Sequence, residues 1–477
     1  MIETRETIIE AISRRAESSS DHPALVVEAA DGGRMEVSYG HLMNRVEALS
    51  AELLECGLTR GDRCGLISRQ GMDFIVEGLA VMGAGLCLVP LSDDSSNEER
   101  EEWSRHARLH GILNTSQSHQ VQICRNHELM DKEVEWRFKM MNPAYLRFTS
   151  GTTNERKGVV LSHGAIMERL DGANKALKIG SQDRILWLLP MAHHWVVSIL
   201  LYLRQGATIL LPLKQGETSW NFAAKEQATV MYASPHDYGC MVQSGGERTL
   251  TTLRLAISTA VGLDEETAKQ FLCKTGVPLS QALGIIEMGL PVVNLLRAKE
   301  KPLSVGQVVD GYHVGLFNEA GDSVTGCGRE ACGEVFIKGP GSLSAYLDPW
   351  MESSAIIGSR GFATGDQGYF DQEGDLHLLG RRGNRIHVGG MKFFSEEVEA
   401  VINSHPEVME SRVRGEILAD EGEVPVVDIC LRTGSSGLDL ERLKSYCKEK
   451  LSRHKIPQRM TLVNEIPKTP TGKIRRW

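Results

Sequence analysis

No stretch of this 477-residue chain reaches the roughly 18 consecutive apolar residues of a membrane-crossing helix, so none is expected. The longest apolar region, Trp195 to Leu203, reads as a buried core helix. Basic residues are in deficit, 53 Lys and Arg against 62 Asp and Glu, and the signs are interspersed. A nucleic-acid partner, which needs a basic face, is therefore not expected. The ten cysteines include no Cys-x-x-Cys pair and no metal-ligand spacing. They read as reduced thiols in a cytoplasm, packed as small apolar side chains. The charged start, Met1-Ile-Glu-Thr-Arg5, is followed by no apolar run, so no secretory leader is expected. Internal repeats, low-complexity tracts and the Walker A pattern are missing as well.

What is present is enough apolar material, 41% of the chain, for one large domain and a small one. Helical spacing from Tyr39 to Cys56 is followed by the strand-like Arg63 to Ile67. A helix from Phe74 to Gly83 is followed by the strand-like Leu86 to Pro90. This is the βαβ rhythm of a parallel sheet covered by helices. Residues 185–189, 207–211 and 253–257 continue it as strands between helices. From about 303 to 380 the texture becomes short, alternating and glycine-punctuated, as in Gly333 to Lys338, which predicts an antiparallel β unit. Helices over 396–404 and 438–451 around a strand at 424–431 predict a small α+β unit at the end. The expected fold is α/β: a large multi-part N-terminal domain, residues 1–380, with mostly parallel sheets and a β-barrel-like part. A hinge at 381–385 and a mobile α+β domain at 386–477 complete it.

The richest local feature is Phe148-Thr-Ser-Gly-Thr-Thr-Asn-Glu-Arg-Lys-Gly158. Apolar strands frame it, which distinguishes it from a linker. Gly151 permits close backbone approach to a ligand. Thr149, Ser150, Thr152 and Thr153 add hydroxyls, and Lys157 adds a point charge. Backbone N–H groups in such a turn favour an anion, and a polyphosphate is the natural one.

With this loop and five further segments, the chain resembles the adenylate-forming superfamily of acyl- and aryl-CoA synthetases, luciferases and peptide-synthetase adenylation domains. The likeness runs in the family's motif order over nearly the whole chain. It implies ATP, Mg²⁺ and a small carboxylic acid as ligands, and CoA or the phosphopantetheine of an acyl carrier protein as thiol acceptor. It implies that Lys157 and the loop hold phosphates, that Gly284-Ile-Ile-Glu287 supplies Glu287 to Mg²⁺, and that Asp366 and Arg381 bind the ribose. It makes Lys473 the catalytic lysine. His193, His194 and Trp195 would line the acyl pocket or thiol tunnel, with Gly284 and Gly390 beside it and Gly383 easing rotation at the hinge. Leu283 and Ile286 depart from the family's Tyr and Thr, which weakens the adenine and phosphate contacts. That departure also leaves open a degenerate, nucleotide-binding regulatory protein. No carboxylate occurs in residues 193–198, so a buried α-ammonium would lack a partner and an amino acid is not expected. The apolar Trp195, Val196, Val197, Ile199 and Leu200 suit a fatty or other apolar acid, and an aryl acid is the alternative.

Overall fold

The computed structural model describes residues 6–30, 32–91, 97–115, 120–124, 130–148, 157–213, 216–244, 249–259, 261–388, 391–418, 422–432, 438–469 and 473–476. Among them, two large sheets carry the N-terminal part. One has nine strands, with a parallel centre made by Pro23–Glu28, Thr208–Leu211, Arg184–Trp187, Val230–Ala233, Leu255–Ser258 and Leu279–Ile285. The other has eight, with a parallel centre made by Pro143–Phe148, Cys87–Leu91, Arg63–Ile67 and Gly111–Asn114. The central strands are buried on both faces, which is why they read as continuous apolar runs without alternation.

The helices follow from local signals. Ser38 caps Tyr39–Glu55 by accepting from the His41 N–H, and the helix buries Tyr39, Leu42, Met43, Val46 and Leu53 on one face. Ser162 caps His163–Leu177 in the same way, through the Ala165 N–H. The long apolar run is split: Trp195–Ile199 forms a π-helical turn and Leu200–Gln205 an α-helix. Among the described residues no helix is long and apolar enough to cross a membrane.

Antiparallel strands His313–Phe317, Gly333–Lys338, Phe362–Phe370 and Leu376–Arg381 form a third sheet, where the glycine-punctuated texture placed a β unit. A one-turn 3-10 helix, Arg382–Asn384, leads out of it. The last part holds the hairpin Arg385–Val388 with Met391–Phe394, the sheet Val408–Leu418, Gly422–Leu431 and Arg459–Leu462, and helices Ser395–Asn403 and Leu440–Lys450. It has its own core: Ile386, Phe393, Val398, Ile402, Val413, Ile429 and Leu443 cluster with one another. The large cluster that joins the two main sheets draws no residue beyond Leu378.

Candidate active site

Several candidate residues follow the carboxyl ends of parallel strands, where open α/β sheets build their ligand crevices. The hydroxyl-rich loop follows Phe148, the histidine segment follows Trp187, and Glu287 follows Ile285. Thr149, Ser150, Gly151, Thr152, Thr153 and Gly390 lie outside the described residues. Lys157, at the end of that loop, places its ammonium 5.1 Å from the centre of the Tyr346 ring. Tyr346 sits opposite Val159 in an antiparallel pair, and its hydroxyl donates to Glu287 Oε1 at 3.5 Å. One tyrosine thus ties the lysine of one motif to the carboxylate of another.

Glu287 rests on a dense network. The Glu287 carbonyl accepts from the Leu343 N–H at 2.7 Å. Arg169, from the helix His163–Leu177, donates to the Ile286 carbonyl at 2.9 Å and, with Nε and Nη2, to the Gly341 carbonyl. Arg169 is 1% exposed, and burial pushes its guanidinium down to about 10. Tyr312 donates to the Met288 and Pro340 carbonyls, closing the other side. Gly341 has φ +66, and a Cβ there would sit 2.4 Å from the Arg169 nitrogen, so only glycine lets this loop lie on the helix. Gly284 is exposed at the end of its strand. Leu283 is packed in the main core, where the family's tyrosine is replaced.

Asp366 and Arg381 are opposed across neighbouring strands, and Arg381 Nε donates to Asp366 Oδ1 at 3.1 Å. Burial raises the Asp366 carboxyl, with Arg381 and Lys473 opposing that rise. Lys473 reaches this pair from the other end of the chain. Its backbone closes a small loop with Thr469, the Thr469 N–H donating to the Lys473 carbonyl at 2.7 Å. The tail is not frayed. Arg476 grips Glu399 with two N–H groups at 2.6 and 2.8 Å and the Val413 carbonyl at 2.8 Å. Lys473 is exposed, with protein crowded around its side chain. That crowding lowers its ammonium from the usual lysine value. Arg381 and Arg147 add to the fall, and Asp366 and Glu287 oppose it.

His193 and His194 end a short helix, Met191–His194. Arg147 Nη1 donates to the His193 carbonyl at 2.9 Å, and Tyr145 donates to the Ala192 carbonyl. Burial keeps both imidazoles neutral, with Arg147 the next cause, and pushes His194 down to about 3. The His194 ring meets Trp187 and Tyr232 edge-on, each with centroids 5.7 Å apart, and those two rings stack at 5.3 Å. Trp195 departs from the expectation of a pocket residue. It is fully buried, edge-on to Phe74 at 5.4 Å, and its indole N–H points at Met82 Sδ. Trp195 opens the π-helical turn Trp195–Ile199, and its ring packs into the main core. Val196, Ile199 and Leu200 are core residues too.

Gly383 lies within the 3-10 turn, where a Cβ would meet nothing within 4 Å. The glycine this conformation requires is Gly380, with φ +148 and a would-be Cβ 2.5 Å from Glu396 Oε2. Arg147, Arg169 and Tyr346 were not singled out from the sequence. An arginine inside the apolar strand Tyr145-Leu-Arg-Phe148 was a visible signal, because a strand interior rarely spends a charge without purpose. Arg169 carried no such mark on a mixed helix.

Among the described residues no group of three or more His, Cys, Asp or Glu gathers as a metal site. Glu287 stands alone, with one oxygen facing Tyr346 and with Arg147, Arg169 and Lys473 in electrostatic range. This donor set suits Mg²⁺ held jointly with substrate phosphates, which supply most of its oxygens.

The comparisons agree with the geometry. The chain belongs to the AMP-binding enzymes: that family's model matches residues 12–347, and the model of the family's C-terminal domain matches residues 397–473. It is 26% identical to the 2-succinylbenzoate–CoA ligase of Bacillus mycoides, over 99% of this chain and 98% of that protein. It is also 26% identical to the oxalate–CoA ligase of Arabidopsis thaliana, over 99% and 97%. Among solved structures it shares its fold with an anthranilate CoA ligase in complex with anthranoyl-AMP, at TM-score 0.82, 20% identity and coverage of 99% and 96%. It shares it equally with the o-succinylbenzoate CoA synthetase of Bacillus subtilis bound to AMP, at TM-score 0.83, 22% identity and coverage of 98% and 97%.

Proposed function

We propose that this enzyme activates a small carboxylic acid with ATP and transfers the acyl group to the thiol of CoA. The observation that carries this is the position of Lys473. The small C-terminal unit places a lysine ammonium within electrostatic range of Glu287, Asp366 and Arg381, all from the large unit. In the first step a carboxylate oxygen attacks the α-phosphorus and the bond to the bridging oxygen of pyrophosphate breaks. Such a displacement needs positioning and charge neutralisation more than covalent help from the protein. Lys473 would bridge the attacking carboxylate and the α-phosphate, and Lys157 with its loop would hold the leaving phosphates. Mg²⁺, when bound beside Glu287, supplies further charge neutralisation there. In the second step the thiol sulfur attacks the acyl carbon and AMP leaves with the bonding electrons.

For the acid, the arrangement favours the aryl or polar alternative over the fatty one. The apolar residues that suggested an alkyl pocket, Trp195, Val196, Ile199 and Leu200, belong to the core. What stands beside His194 is aromatic, Trp187 and Tyr232. The relatives named for 2-succinylbenzoate and anthranilate support the same reading, and their CoA acceptor supports CoA over a carrier protein. ATP-dependent hydroxamate formation across aryl, short polar, fatty and amino acids tests the first step, and CoA-dependent AMP release tests the second. Hydroxamate from fatty acids alone would remove the aryl assignment. Tight ATP binding with no hydroxamate from any acid would favour the degenerate nucleotide binder.

A further inference from the structure

We propose that Arg147 is the counter-charge for a second anionic group on the acid, so that the preferred substrate carries two carboxylates or their equivalent. This rests on the ligase reading above and deepens it. Tyr145 and Arg147 are two residues apart on the strand Pro143–Phe148 and so share a face. Both reach across to the histidine segment, Tyr145 to the Ala192 carbonyl and Arg147 to the His193 carbonyl. A guanidinium has five N–H donors. Here one donates to that carbonyl, the Tyr145 side chain is a further hydrogen-bond neighbour, and Nε is buried with no hydrogen-bond partner. Among the described residues no carboxylate lies within ion-pair distance, and Glu287 acts on it only from farther off.

Arg169 gives the contrast within the same molecule. Arg169 also has no carboxylate at ion-pair distance, but it is buried and three of its nitrogens are held by the Gly341 and Ile286 carbonyls. Arg169 is complete as a brace, whereas Arg147 is only half-buried and keeps donors that the protein does not use. An incoming carboxylate would satisfy them with the planar, two-point geometry that guanidinium offers. Its place is on the acyl side. The hydrogen bond from Arg147 Nη1 to the His193 carbonyl, at 2.9 Å, sets it beside the histidine segment. The acids in the names of two relatives, oxalate and 2-succinylbenzoate, each have two carboxylates.

The test is a paired-substrate measurement of kcat/KM for hydroxamate formation, before and after substitution. The pairs are oxalate with glyoxylate, phthalate with benzoate, and 2-succinylbenzoate with its analogue lacking the ring carboxylate. The wild-type protein should prefer the two-carboxylate member of at least one pair. In Arg147→Met that preference should fall by about 10²-fold, because the unpaired carboxylate is then desolvated without compensation. Arg147→Lys keeps the charge and should restore part of the preference. A clamp on the His193 carbonyl, or a contact to the α-phosphate, would lower both members of every pair equally, and that outcome overturns the proposal. Turnover of monocarboxylic acids alone also overturns it and leaves the ligase reading standing. Silence with all six acids and with the wider acid panel removes both.

Discussion

Glu287 and Lys473 face the same cleft but are held by different means. Glu287 is fixed from beneath by Arg169, Tyr312 and the Leu343 N–H, all protein-to-protein contacts of buried groups. Lys473 belongs to a unit with a separate apolar core, and ion pairs join it across the junction. Arg385 and Lys392 meet Glu319, Arg329 meets Glu397, and Arg382 meets Glu334. Exposed pairs of this kind contribute about 0–1 kcal/mol each and weaken with salt. A buried brace that loses one partner leaves carbonyls unsatisfied at about 1–3 kcal/mol each. The difference teaches that one wall of the site is braced through buried groups, while the other is joined to it through ion pairs at the surface. If the second unit moves between the two steps of the proposed reaction, that division would serve it.

The comparison breaks or sharpens under four changes in falling order of effect, with Arg381→Gln and Gly383→Ala as two further paired controls. Lys473→Ala should lower the adenylation rate about 10²–10³-fold, while thioester formation from a synthetic acyl-adenylate stays within a few-fold. Pyrophosphate exchange and CoA consumption read the two steps separately, and equal loss in both would show that the lysine is not confined to the first. The same lysine sets a pH limb. Its ammonium is lowered, so the charged form is lost at a lower pH than for an ordinary lysine, and adenylation should decline correspondingly early as pH rises. Arg381 is one cause of that lowering, so in Arg381→Gln the limb should move to higher pH, whatever the variant's overall rate. The two histidines are already neutral near pH 7 and should add no inflection between about pH 6 and 8.

Arg169→Met should cost about 2–4 kcal/mol of stability, because the Ile286 and Gly341 carbonyls lose their donors inside the protein. Denaturant midpoints measure it, and a loss below about 0.5 kcal/mol would mean that the fixed wall does not depend on this brace. Gly380→Ala should disfavour the Lys473-in conformation by about 1–3 kcal/mol through its backbone and its collision with Glu396. Gly383→Ala should leave that conformation undisturbed. Adenylation rates of the two variants, side by side, decide whether Gly380 or Gly383 is the glycine that matters at the junction. Glu319→Gln should have the smallest effect, under about 1 kcal/mol, and it should vanish in high salt. A salt-independent loss would show that Glu319 acts as more than a surface partner.

Much of the scaffold was legible because it is written locally. The helical spacing from Tyr39 announces the helix Tyr39–Glu55, and the short strand-like segments at Arg63–Ile67 and Thr208–Leu211 announce buried parallel strands. The carboxylates and lysines of the site were legible as motif residues, each with its own short context. The family likeness set Trp195 at the acyl pocket, whereas its ring is buried in the core, in line with the reading of Trp195 to Leu203 as a buried helix. Gly383 was assigned to the hinge by the family likeness, and the positive φ of Gly380 was not visible, because a sequence shows where glycine occurs and not which φ the chain takes there.

The sequence by itself determined the alternation of strands and helices, the chemistry carried by each motif, and the separate core of the last unit. These depend on neighbours a few residues apart and on which side chains avoid water. Only the tertiary structure decided that Arg169 would lie under Glu287, that Tyr346 would join Glu287 to Lys157, and that Arg147 would face the histidines without a carboxylate partner. Those juxtapositions arise when sheets and helices far apart in the chain pack together. Packing selects them by shape and hydrogen-bond satisfaction summed over many contacts, and no short segment encodes that sum.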